Sequence, residues 1–264
     1  MSRRTLPLLF ALVLAVAACD QLTKVAATDP FGFMVMNARA RSAGGYSTQP
    51  RAYFYTSYQV NLASAASAWD SCRVYPYDPT SVPSGGGSYL PAGTSLAVRV
   101  SGSSAVLAPA STTTPGPYDM ATSGLAFTPG DTVTLTVPGD RAGFPAATVS
   151  SKTAEPFTVD SLVTPTLGQA MPLRWSLPAD NNSAMLFSFF YSNVGASVPN
   201  EEIYCTYRDR GADSVPAYLM NKYVLSPVRR ALVQRLRTQI YDVPGTKATF
   251  NVISTFDRPL PTSP

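Results

Sequence analysis

From Phe31 onward the apolar positions alternate with polar ones in short runs, and turn residues break the pattern every few positions. That rhythm predicts successive β-strands rather than helices. The clearest case is FTPGDTVTLTVPGD, Phe127 to Asp140, where Val133, Leu135 and Val137 face one way and Thr132, Thr134 and Thr136 the other. Pro129-Gly130-Asp131 and Pro138-Gly139-Asp140 supply turn chemistry at both of its ends. Further strands are expected at Phe31 to Ala40 (FGFMVMNARA), Ala52 to Val60, Cys72 to Tyr77 and Leu96 to Val100. The first of these is apolar on both faces at its start, so it should be covered on both sides. LASAASAWD reads as a helical turn, SVPSGGGS as a flexible loop and APASTTTPGP as a Pro/Thr-rich connection.

Polarity peaks at SKTAEP, Ser151 to Pro156, which suggests a domain boundary there. Beyond it come LRWSLP carrying Trp175, the aromatic run MLFSFFYSN, and EIYCTY from Glu202 to Tyr207. SPVRRALVQRLRTQIYDV is ambiguous. Val228, Leu232, Leu236 and Ile240 recur every four residues behind Ser226-Pro227, as in a helix, yet Leu232, Leu236 and Ile240 also lie on one side of a strand. Because VPGT leads straight into the alternating TFNVISTF, a long hairpin is the expectation. A tryptophan strand, an aromatic strand and a cysteine strand in this order resemble an immunoglobulin-like or fibronectin-type sandwich, without a second cysteine in the same half. The expected architecture is mostly β: two tandem Ig-like β-sandwich domains, residues 32–155 and 156–264.

The amino-terminal segment departs from this rhythm. Arg3 and Arg4 precede Leu6 to Ala18, an uncharged run of thirteen residues interrupted only by Pro7. A membrane span needs about 20 apolar residues, so the pattern is that of a secretory signal. It closes on Val16-Ala17-Ala18-Cys19, which resembles the lipobox of bacterial lipoproteins. That resemblance implies cleavage after Ala18, a signal peptide over 1–18, and a Cys19 carrying acyl chains such as palmitate. A lipidated tether over 19–31 follows. The partner implied is membrane lipid, and the location is the cell envelope, facing periplasm or exterior. Asp20 resembles an inner-membrane retention signal of enteric bacteria, and the choice between inner and outer membrane stays open. Two or more acyl chains hold firmly, each buried methylene contributing about 0.8 kcal/mol.

Removing Arg3 and Arg4 with the leader lowers the formal net charge from +4 to +2, so nucleic acid is not an expected partner. The chain has no histidine. Ser-His-Asp and Cys-His nucleophile activation, imidazole acid/base chemistry and His-containing metal sites are therefore excluded. After Cys19 only Cys72 and Cys205 remain. They fall in different expected domains, so two separate buried thiols are the first expectation and a disulfide the alternative.

What survives this exclusion is weakly supported. Asp209 and Asp213 flank a glycine but lack the other ligands of a calcium loop, and Asp180-Asn181-Asn182-Ser183 reads as a turn. Glu201 and Glu202 are adjacent and point to opposite faces of a strand. The residues three before Lys24, Lys152, Lys222 and Lys247 are Gln21, Val149, Leu219 and Pro244, so no Ser-x-x-Lys motif exists. Arg229, Arg230, Arg235 and Arg237 form a basic cluster, read as the solvated face of an exposed element or a contact for anionic headgroups. Tyr53, Tyr55 and Tyr75, with Tyr58 and Tyr77 nearby, are a candidate ligand surface that works by stacking. No cofactor and no metal are expected. The leading expectation is a non-catalytic, membrane-anchored envelope module that binds or supports. Its alternatives are an adhesin or glycan-binding module, and a carboxylate-dependent glycan-processing enzyme with two aspartates about 5 to 10 Å apart.

Overall fold

The computed structural model describes residues 29–42, 44–56, 70–77, 88–121, 124–160, 162, 165–180, 182–193 and 196–260, with backbone alone at 251 and 258–260. The lipobox, Cys19, the tether up to residue 28 and the LASAASAWD segment up to Trp69 lie outside the described residues.

The alternating runs become strands, and turn chemistry sets how they pair. β1 (Phe31–Ala40), β2 (Tyr46–Thr48), β3 (Arg51–Tyr55) and β4 (Ser71–Pro76) are followed by β5 (Leu96–Val100) and β6 (Ser103–Pro109). These last two form a tight hairpin whose two turn residues, Ser101 and Gly102, both have positive φ. Such a turn matches the twist of the flanking strands. β7 (Tyr118–Met120), β8 (Leu125–Phe127), β9 (Thr132–Val137) and β10 (Ala147–Lys152) complete the first part. β9 buries Val133, Leu135 and Val137, the face its alternation predicts.

The second part comprises β11 (Met171–Arg174), β12 (Ser183–Tyr191), β13 (Glu201–Arg208), β14 (Ala212–Val215), α1 (Ala217–Leu225), β15 (Arg229–Asp242) and β16 (Thr249–Leu260). β15 and β16 are the long expected hairpin, paired over twelve positions. The helical reading of 226–243 fails because strand pairing on both sides of β15 uses the backbone groups that a helix would need. α1 is an element the sequence pattern did not announce. It starts behind Pro216 and buries Leu219, Met220 and Tyr223.

One sheet runs in the order β10-β9-β5-β6-β7-β3-β1-β16-β15-β12-β13-β4, with β2 and β8 branching from β1. It curls until its end strand meets its middle: the Tyr241 hydroxyl on β15 donates to the Ser150 carbonyl on β10, and Ala154 N–H donates to Ser254 Oγ on β16. The curl encloses Met34, Val98, Leu107 and Leu135 with a cluster of rings. Phe54 lies 4.8 Å from Phe144, 5.8 Å from Phe250 and 5.5 Å from Tyr118 between ring centroids. Gly32 makes that packing possible, since a Cβ there would stand 2.5 Å from Phe250 Cδ2 and 2.9 Å from Phe54 Cδ1.

The other end of the sheet is covered by the β11–β14 ribbon and α1. Trp175 packs 5.4 Å from Phe187 and 6.3 Å from Tyr207, and Tyr223 of α1 meets Phe189 edge-on at 5.4 Å. β12 is buried at every position but its first, which is why MLFSFFYSN shows little polar alternation.

This layout bears on two expectations. The division between 155 and 156 does not divide the sheet: β1 pairs with β16 in parallel over eight positions, and β4 pairs with β13. Within SKTAEP, Lys152 is exposed, while Thr153 Oγ1 donates to the Asp131 carbonyl and Glu155 pairs with the buried Arg237. Thr153 and Ala154 are buried there, with Phe157 just beyond. Cys72 and Cys205 are not separate thiols. They stand directly opposite each other on β4 and β13 and are joined by a disulfide.

Candidate functional site

Where the curled part meets the covered end, five segments bring their charges together. The inward face of β15 is apolar at Ala231 and Val233, then carries Arg235 and Arg237. Both arginines are buried, at 1% and 6% exposure. The basic cluster is therefore not a solvated face, because these two side chains point into the protein and are neutralised there. Arg235 Nε lies 2.7 Å from Asp209 Oδ2, an ion-pair contact rather than a hydrogen bond. Its Nη1 donates to the Pro156 carbonyl at 3.1 Å and its Nη2 to the Ser176 carbonyl at 2.5 Å. The ring of Phe157 lies beneath the guanidinium, 5.3 Å away.

Asp209 is the hub of this cluster. Its Oδ1 accepts from Trp175 Nε1 at 2.7 Å, and its Oδ2 accepts from Ser183 Oγ at 2.7 Å. Arg237 reaches Asp180 at 2.8 Å and Glu155 at 3.6 Å, and Lys152 reaches Asp180 at 3.7 Å. The Arg237 hydrogen bond, above all, holds the Asp180 carboxyl below its ordinary range. Asp209 and Asp213, read together from the sequence as a loop pair, are separated in role. Asp213 pairs with Arg210 at the surface, while Asp209 turns inward.

Two clefts open near this cluster. One, of about 580 Å³, is lined by Ser183, Ala184, Arg208, Arg210, Leu236 and Thr238. The other, of about 460 Å³, lies between β10 and β15 beside Lys152, Asp180 and Arg237. Asp209 borders the first, but its side chain is 1% exposed and already accepts from two donors beside Arg235. Its oxygens are thus taken up by groups inside the protein rather than presented to the cleft.

A second feature lies on the outward face of β1 and β3. Phe33 stacks on Tyr53 at 4.8 Å, Tyr53 and Tyr55 lie 6.5 Å apart and nearly parallel, and Tyr55 stacks on Tyr89 at 4.8 Å. Tyr53 ends this strip beside a polar cleft of about 280 Å³, lined also by Val35, Asn37, Arg39, Gln49 and Arg51. Arg51 is held by Asp119 on β7 and lies 3.5 Å from the Tyr53 hydroxyl.

Of the tyrosines expected to form one surface, Tyr53 and Tyr55 share a face, but only Tyr53 is partly open, because Tyr55 is buried at 4% exposure against Tyr89. Tyr75 does not join them. It sits on β4, beside Tyr204, and five strands intervene between β3 and β4. At about 4.8 Å per strand the separation is roughly 29 Å. Arg230, outside the buried cluster, lies over Phe190 at 4.4 Å and Tyr77 at 5.1 Å. Glu201 and Glu202 are on β13, opposite Tyr191 and Phe190 of β12. Burial, and then the charge of Glu201, raises the Tyr191 hydroxyl to about 12.

Sequence reasoning missed Asp209 as a buried hub and Asn37 and Gln49 as cleft residues. A usable signal was present for the first: two arginines at i and i+2 on a strand with apolar residues at the preceding inward positions demand buried counter-ions. No protein-family model, curated protein or solved structure matches the chain.

Proposed function

We propose that this chain is a lipid-anchored envelope protein, tethered through an acylated Cys19, whose folded part is a non-catalytic binding or structural module. The observation that carries the reading is the leader that ends in Val16-Ala17-Ala18-Cys19. The Cys72–Cys205 disulfide supports it, because such bonds persist in oxidising spaces outside the cytosol. Among the described residues no helix is long and apolar enough to cross a membrane, so acyl chains are the anchor this reading supplies. A buried tryptophan over a sheet, Trp175 on Phe187 and Tyr207, supports the immunoglobulin-like part of this reading.

The test is acylation itself. Mass spectrometry of the native protein should show an amino-terminal Cys19 bearing acyl chains, and Cys19→Ala should shift the protein from the detergent phase to the aqueous phase. An unmodified amino terminus, or membrane association unchanged in Cys19→Ala, overturns the proposal.

A further inference from the structure

We infer that the cleft beside Tyr53 binds a saccharide bearing a carboxylate, such as a uronic acid unit of an acidic glycan. The inference rests on the folded part being a binding module, and it is independent of the lipid anchor.

The cleft combines three properties. Its aromatic wall is fixed: Tyr53 is half-buried and stacked on Phe33 at 4.8 Å, so the ring meets a ligand without first being ordered. A sugar ring offers an apolar C–H face that packs on such a wall, and Val35 extends the apolar floor. Around the ring stand planar hydrogen-bonding groups. Gln49 is exposed and has no partner among the described residues. Asn37 Oδ1 accepts from Thr255 Oγ1 at 2.8 Å, which leaves its amide N–H groups to donate. These groups suit vicinal hydroxyls, which present donors and acceptors side by side.

The third property is charge. Arg51 is neutralised by Asp119, whereas Arg39 is exposed and has no ion-pair partner among the described residues. The cleft therefore carries one uncompensated guanidinium, whose planar fork fits a carboxylate in bidentate fashion. A phosphopeptide site commonly gathers several arginines. The volume of about 280 Å³ suits one sugar ring rather than a helix or a stack of bases.

The experiment is calorimetric titration of the full chain in detergent with three probes: a tetrasaccharide of galacturonic acid, the neutral galactose tetrasaccharide of the same linkage, and an acidic tetrapeptide. The galacturonate should bind at least tenfold more tightly than either other probe. Arg39→Ala should abolish the preference for the charged sugar, and Tyr53→Ala should weaken both sugars at least tenfold. Tyr53→Phe keeps the ring and should change affinity less than threefold, which separates stacking from misfolding. Tyr75→Ala, on β4, should bind as the unaltered chain does. No sugar binding, equal binding of the neutral sugar, tighter binding of the peptide, or full binding by Tyr53→Ala overturns the inference. Loss of acylation in Cys19→Ala with sugar binding intact leaves it standing, so the two proposals fail separately.

Discussion

The two ends of the sheet are held together by different physics, and β15 takes part in both. In the curl, Met34, Phe54, Leu107, Leu135, Phe144 and Phe250 exclude water without a charged group among them. At the junction with β11 and β12, the same strand turns Arg235 and Arg237 inward, and three acids, Asp180, Asp209 and Glu155, meet them. An apolar core tolerates many arrangements of similar volume, whereas a buried ion tolerates only those that satisfy it. The contrast shows how one continuous sheet can be loosely specified along most of its length and pinned at one place.

The sharpest way to break this contrast is to remove the hub. Asp209→Ala leaves Arg235, Trp175 Nε1 and Ser183 Oγ short of a partner, and unfolding in urea should show a loss of about 5 kcal/mol. Replacing Arg235 with Met and Asp209 with Leu together should recover part of that loss, because the desolvation cost disappears with both charges while Trp175 Nε1 and Ser183 Oγ stay without their acceptor. A double variant less stable than Asp209→Ala would mean that Arg235 stabilises the fold even without its acid. In the curl, Phe250→Ala should cost about 4 kcal/mol through the transfer and cavity terms, and adding salt should leave that figure unchanged.

Opening the disulfide with Cys72→Ser and Cys205→Ser should cost about 3 kcal/mol, read as a lower urea midpoint, since β4 is then held to β13 by its backbone ladder and the Tyr75–Tyr204 ring contact without a covalent link. The effect of pH should be smaller and signed. Tyr191 and Tyr223, both in the covered end, are raised mainly by burial from 10.0 to about 12. Folding therefore favours their neutral forms, so their contribution is complete below pH 10 and is lost as pH rises towards 12. Asp180 is lowered, so its contribution is present above pH 3.8 and is lost as the pH falls through its folded value. Thermal melts across both ranges check the two signs. The smallest effect belongs to the exposed Arg51–Asp119 pair, where Arg51→Ala should cost less than about 1 kcal/mol.

The strands were legible where one face met water. Val133, Leu135 and Val137 alternate visibly because Thr132 and Thr136 remain exposed opposite them. They were legible in the β15–β16 hairpin as well, where the turn at VPGT decided against a helix. α1 was hidden because its buried set, Leu219, Met220 and Tyr223, is only one turn long. The pairing of β1 with β16 and of β4 with β13 was not legible at all, since period-2 patterns fix a strand's faces but not its neighbours. Charge was misread for a similar reason. Four arginines in nine residues look like a wet surface until their counter-ions, 26 to 82 positions away along the chain, fold over two of them.

The parallel ladder between β1 and β16 joins residues as far apart in the chain as Asn37 and Thr255, 218 positions. A ribosome working from the amino terminus releases the first strand long before its neighbour exists, so the sheet stays open at its centre until synthesis nears residue 256. Closing so large a loop is slow compared with forming local hairpins. During that interval hairpins such as β5–β6 can close by themselves, but the centre of the sheet cannot, so completion of the fold is timed by the end of synthesis rather than by its beginning.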